Sequence, residues 1–154
     1  SAGQPVPRGY GRQARAVVAQ VRKNERRYAE LGWKYTKKYP VFRWYGREWM
    51  RHPELRELTQ QWFIHHDPIR FVKGAVASDA FFELIGKFAS RPETQRFLLD
   101  VVAIAPDELY RALMDYLRVD PETRSAYKRL APMGDLPSDP GSVTPAGVRK
   151  RRKF

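Results

Sequence analysis

The chain has 154 residues, with 29 Lys/Arg against 17 Asp/Glu for a net charge of +12, and it contains no cysteine. That length suits one domain with extensions, and the missing thiols exclude disulfides, thiolate zinc sites and cysteine nucleophiles. The longest unbroken apolar run, Val101 to Ala105, falls far below the ~20 residues needed to cross a bilayer.

The charge is unevenly placed. Residues 1–40 carry ten Lys/Arg and two Glu, whereas residues 41–131 carry fourteen basic and thirteen acidic side chains. Residues 132–154 carry five basic and two acidic side chains. A balanced centre can fold by burying surface, while cationic ends seek anions. The predicted organisation is therefore a basic N-terminal arm (1–40), a helical domain (41–131) and an irregular basic tail (132–154). Residues 1–24 are acid-free and include Arg8, Arg12, Arg15, Arg22 and Lys23, a composition that points towards a mitochondrial address. Ser1 opens the chain without a preceding Met, which predicts a removed leader or a residual tag.

In residues 11–31, Ala14, Val17, Val18, Val21, Tyr28 and Leu31 recur at helical spacing. Arg12, Arg15, Arg22, Lys23, Arg26 and Arg27 fall on the opposite side. This predicts a long basic amphipathic helix that docks by its apolar face and turns six cations outward. The stretch that follows interleaves Trp33, Tyr35, Trp44, Tyr45 and Trp49 with Lys and Arg. Such rings can stack bases, sit at a membrane interface or anchor the arm onto the domain or a partner protein. Partner docking through these five aromatics is the favoured reading.

Downstream, Pro53, Pro68, Pro92, Pro106 and Pro121 mark helix starts, since proline is tolerated at a first helical position. Asp67 and Asp120 precede two of them as caps, and Ser78-Asp79 opens a further helix. Apolar residues between these starts keep helical spacing, among them a stripe of Leu55, Leu58, Trp62 and Phe63. No stretch alternates as a strand would. The predicted fold is all-α, a bundle of about six short helices.

His65-His66-Asp67 is the first place to look for chemistry. Adjacent histidines point about 100° apart on a helix and rarely share a metal, so a helix C-terminus explains them better. No nucleophile elbow or phosphate loop occurs, and no enzyme activity or cofactor is expected. Leu109-Tyr110-Arg111, with Leu113 and Leu117 after it, resembles the signature of LYR-motif proteins, small mitochondrial helical subunits and assembly factors that bind acyl carrier protein. That family has the tripeptide near the start of its first helix and a Phe downstream. Here it lies in the last third, followed by Tyr127, and it assigns no family.

The tail alternates Pro and Gly and ends Arg149-Lys150-Arg151-Arg152-Lys153-Phe154. It is expected to be disordered alone and ordered only against a partner. Together these features predict a non-catalytic accessory subunit of a large assembly, peripheral to the mitochondrial inner membrane. Its partners would be other protein subunits and anionic lipid. The alternative is a ribosomal or ribonucleoprotein component that binds RNA through the same cations.

Overall fold

The computed structural model describes residues 4–151. It is all-α, with nine α-helices and no strand among the described residues. In chain order these are α1 (Arg12–Lys38), α2 (Val41–Arg51), α3 (Pro53–His65), α4 (Pro68–Val76), α5 (Asp79–Phe88), α6 (Pro92–Ala103), α7 (Asp107–Val119), α8 (Pro121–Leu130) and α9 (Pro145–Arg151). Two short 3-10 turns, Ala131–Gly134 and Pro140–Ser142, lead into α9. The bundle expected as about six helices thus holds seven between residues 41 and 131. The addition is α2, whose aromatic residues suggest an interface segment when read without their partners.

Proline and capping chemistry set the starts. Pro53, Pro68, Pro92 and Pro121 open α3, α4, α6 and α8, where the missing amide hydrogen would have no helical partner anyway. Asp67 caps α4 by accepting from the amides of Ile69 and Arg70 at 3.0 and 3.1 Å. Asp120 accepts from the Thr123 amide at 3.0 Å. Ser78 occupies the equivalent position of α5 without a side-chain cap bond.

Two apolar clusters hold the body together. The first joins Ala14, Val17 and Val18 of α1 to Ile69 of α4 and to Ala112 and Tyr116 of α7. The second gathers Tyr45 of α2, Leu55 of α3 and Ala80, Leu84 and Phe88 of α5. α3 and α4 close on each other at Gly74, where an added Cβ would lie 2.3 Å from Leu58 Cδ2. The first cluster ties the expected N-terminal arm to the body. The apolar face of α1 is committed to α4 and α7, so this helix is a core element whose removal would uncover the bundle.

The tail differs from its expectation as well. Pro145 and Val148 of α9 are buried, and α9 packs on α6. The Tyr110 hydroxyl donates to the carbonyls of Pro140 and Val143, and Tyr127 donates to Pro137 O at 2.6 Å. Its order is internal. Two tyrosines and one valine hold a segment whose own composition offers little to bury. Removing residues 135–154 loses that burial and those hydrogen bonds, offset by released chain entropy. The expected result is a thermal midpoint lower by about 5 °C, read by circular dichroism.

Candidate functional site

The 27 residues of α1 span about 40 Å at 1.5 Å per residue. Its buried side faces the core, so its other side is solvent along the whole length. On that side Arg12, Arg15, Lys23, Arg26, Arg27, Lys34, Lys37 and Lys38 are exposed, and Glu30 is the one exposed acid of the helix. Glu30 is engaged by Arg26 Nε at 3.5 Å. Lys37 and Lys38 also complement the negative end of the helix dipole. Lys34, Lys37 and Lys38 extend the face beyond the six cations expected, continuing the same three- and four-residue spacing.

Within the expected set, the structure separates cations turned to solvent from cations spent inside the molecule. Arg12, Lys23 and Arg27 are exposed, as is Arg26 with its Glu30 partner. Arg15 is exposed but donates to the Tyr10 carbonyl at 3.1 Å and the Pro7 carbonyl at 3.3 Å. Arg22 is a correction, because its guanidinium is spent inside the molecule. It donates to His66 O and His65 O at 3.0 Å each and to Gln4 O at 2.6 Å, satisfying the last carbonyls of α3. Arg149 likewise donates to Ala103 O at 2.8 Å at the end of α6. Lys150 and Arg151 are exposed. Arg152 and Lys153 lie outside the described residues.

The aromatic set divides more sharply. Trp33 is 62% exposed, with Lys37 Nζ 5.2 Å from its ring centroid. Tyr35 is buried against Phe42 and Phe97, and its hydroxyl donates to the Asp100 carboxylate. Tyr45 is buried with Phe88 at 4.1 Å between centroids. Trp44 packs edge-on to Phe88, with Arg91 over its ring. Trp49 stacks near-parallel on Phe71 and donates Nε1–H to Leu55 O and Thr59 Oγ1. Tyr35 and Tyr45 are thus buried inside the molecule and Trp44 and Trp49 are half-buried against it, as rings that anchor this stretch onto the domain would be. Each finds its ring contacts on α4, α5 or α6, which the local pattern does not reveal.

Of the histidine pair, His66 ends α3 in the left-handed conformation (φ 47°, ψ 46°), and its Nδ1 pairs with the Glu25 carboxylate. No group of three His, Asp or Glu among the described residues is placed to hold a metal ion. A cleft of about 360 Å³ lies between α7, α8 and residues 138–141, lined by Met114, Leu117, Tyr127, Arg118, Arg124 and Lys128 among others. Arg118 is paired with Asp115 at 2.7 Å, and Arg124 donates to the carbonyls of Leu117 and Arg118. Arg118 is thus engaged within α7, and Arg124 closes the turn between the two helices. Burial raises the Tyr127 hydroxyl above its ordinary pKa, as it does at Tyr110 and Tyr116. Lys73, beneath α8, is held above the usual lysine range by hydrogen bonds to Asp120 and Glu122. These shifts lie on tyrosines and one ion-pair network that brace α4, α7 and α8.

Two residues that sequence reasoning missed are Phe63 and Ile64, 69% and 54% exposed. Spacing puts Phe63 on the buried stripe of α3. Leu55 of that stripe is fully buried and Trp62 packs on Phe71, whereas Phe63 and Ile64 lie about 80° and 180° round the helix from Leu55, outside that cover.

No helix among the described residues is long and apolar enough to cross a membrane. No family model, curated protein or solved structure matches this chain.

Proposed function

We propose that this protein is a non-catalytic accessory subunit that stabilises a multi-subunit assembly, with its helical body as a rigid block and the solvent face of α1 as its contact with an anionic surface. One observation carries the reading. Eight exposed cations run along about 40 Å of one helix with a single exposed acid among them. The buried apolar side of α1 supports it, since a face anchored at both ends presents its charges in a fixed array. A mitochondrial inner-membrane complex of the respiratory-chain or ATP synthase kind is the proposed setting. Its support is the acid-free, Arg-rich sequence of residues 1–24.

The test is migration of the full chain on native gels of membrane extracts from its own cells. The wild type is expected in a large inner-membrane complex. Lys23→Glu with Arg26→Glu and Arg27→Glu is expected to release it as the free subunit. All three side chains are exposed, so the fold should survive. A triple variant that stays in the complex overturns the α1 contact. Sedimentation with ribosomes, abolished by ribonuclease, would establish the RNA reading instead, for which the exposed Trp33 with Lys37 over its ring is suited.

A further inference from the structure

The solvent side of α2 is a row of arginines. Arg43, Arg47 and Arg51 are exposed and stand four residues apart, covering about 12 Å of helix and about 80° of arc. Met50, 42% exposed, lies within about 20° of Arg43, and Trp44 lies about 20° beyond Arg51. The opposite side of the helix carries Phe42, Tyr45 and Trp49 into the second apolar cluster. Trp44, Arg47, Glu48, Met50 and Arg51 line a surface depression of about 430 Å³. Arg91, at the start of α6, places its guanidinium over the Trp44 ring, with Cζ 5.4 Å from the centroid.

The positive charge of this patch is not cancelled. Arg43, Arg47 and Arg91 form no ion pair among the described residues, and the side chains of Arg43 and Arg47 make no hydrogen bond there either. Glu48 is the one acid of α2, and it pairs with Arg51 at 3.6 Å. The acids of the neighbouring helices are turned elsewhere. Glu54 and Glu57 lie about 160° and 100° round α3 from Arg56, whose guanidinium holds the Met50 carbonyl. Asp79 and Glu83 lie about 180° and 140° round α5 from Phe88, the residue that meets Trp44. Glu93 lies within about 20° of Asp100 round α6, the acid that Tyr35 of α1 engages.

We infer that this patch docks an acidic segment of a neighbouring protein, with carboxylates on Arg43 and Arg47 and an apolar side chain seated between Trp44 and Met50. Charge complementarity selects an anion, and composition selects a protein. A guanidinium presents its donors as a planar fork that matches a carboxylate. Arg, Trp and Met are enriched at protein interfaces, and Lys, depleted there, is absent from α2. Carboxylates three or four residues apart on a partner helix match the ~6 Å step of the arginine row. A nucleic acid would also take the arginines, but the Trp44 ring is already engaged by Arg91 and Phe88, and Met50 has no π face to offer a base. A bilayer would need apolar side chains to insert, and those of α2 other than Met50 pack against the body. The contact is separate from the α1 face and stands without it.

Photocross-linking of the full chain in its own cells tests this, with Met50→p-benzoylphenylalanine as the probe and mass spectrometry as the readout. Irradiation is expected to join position 50 to a protein segment in which acids exceed bases by about three within about ten residues of the cross-link, matching the uncompensated arginines. Arg43→Glu with Arg47→Glu in the same chain should lower the yield about tenfold or more. Circular dichroism and melting should be unchanged, since both side chains are exposed and unbonded. A neutral or basic cross-linked segment, or a yield unchanged in the glutamate pair, overturns the proposal. So does a cross-link to RNA or lipid alone, or no product above the unirradiated control. Native-gel migration of the Lys23, Arg26 and Arg27 variant reads the α1 contact independently.

Discussion

Val18→Asp is expected to abolish the cooperative fold of the whole chain and not merely to fray its first helix. Val18 is 1% exposed in a cluster with Ile69, Ala112 and Tyr116 from α4 and α7. Removing it forfeits about 1.5–3 kcal/mol of apolar burial, and an unpaired buried carboxylate adds several kcal/mol more. That total reaches the 5–15 kcal/mol by which domains are typically stable. Burial raises the folded-state pKa of the new carboxyl above its unfolded value near 4. Its destabilisation is therefore smallest below pH ~4 and grows as pH rises. Ala16→Asp, one helical face away and exposed, should stay within about 0.5 kcal/mol of wild type. Thermal melts of the two variants decide whether α1 is an arm or a core helix. A separable arm would leave residues 41–131 melting as before in both.

Leu55→Ala should cost about 3–4 kcal/mol, whereas Phe63→Ala should cost less than about 0.5 kcal/mol. Both residues sit on the apolar spacing of α3, and pattern alone ranks the larger Phe63 as the greater loss. Leu55 is fully buried among Tyr45, Leu84 and Phe88, so its truncation leaves a cavity that aromatic neighbours cannot easily refill. Phe63 already faces water and leaves none. For a chain of this size the first change corresponds to about 10 °C in thermal midpoint. Chemical denaturation with an unchanged slope would confirm that folded-state packing was altered, and not the unfolded ensemble. Similar losses at the two positions would mean that the last turn of α3 is covered in solution. That would remove Phe63 from any docking surface.

Placement of the tail carries a related lesson. Its Pro and Gly content argues for a segment that orders only on a partner. Yet Tyr110, in α7, receives it through Pro140 and Val143, about thirty residues further on in the chain. The tyrosine within the LYR-like tripeptide is thereby employed as an internal clasp, and Arg111 beside it is exposed.

Helix class, the helix starts between Pro53 and Pro121 and most of the separation of faces on α1 were determined by the sequence alone. Each depends on residues within about one turn of one another: proline ahead of an acid, an Asp cap, apolar side chains three and four apart. Exposure was decided only by the tertiary structure, because burial needs a partner from elsewhere in the chain. Tyr35 became internal through Phe97, Tyr45 through Phe88 and Trp49 through Phe71, while Trp33 met no such ring and stayed in solvent. Arg22 and Arg26 are one turn apart on the same helix, yet only the first lies against the carbonyls that end α3. Which cations remain free for a partner is thus a property of helix packing, which joins groups more than forty residues apart.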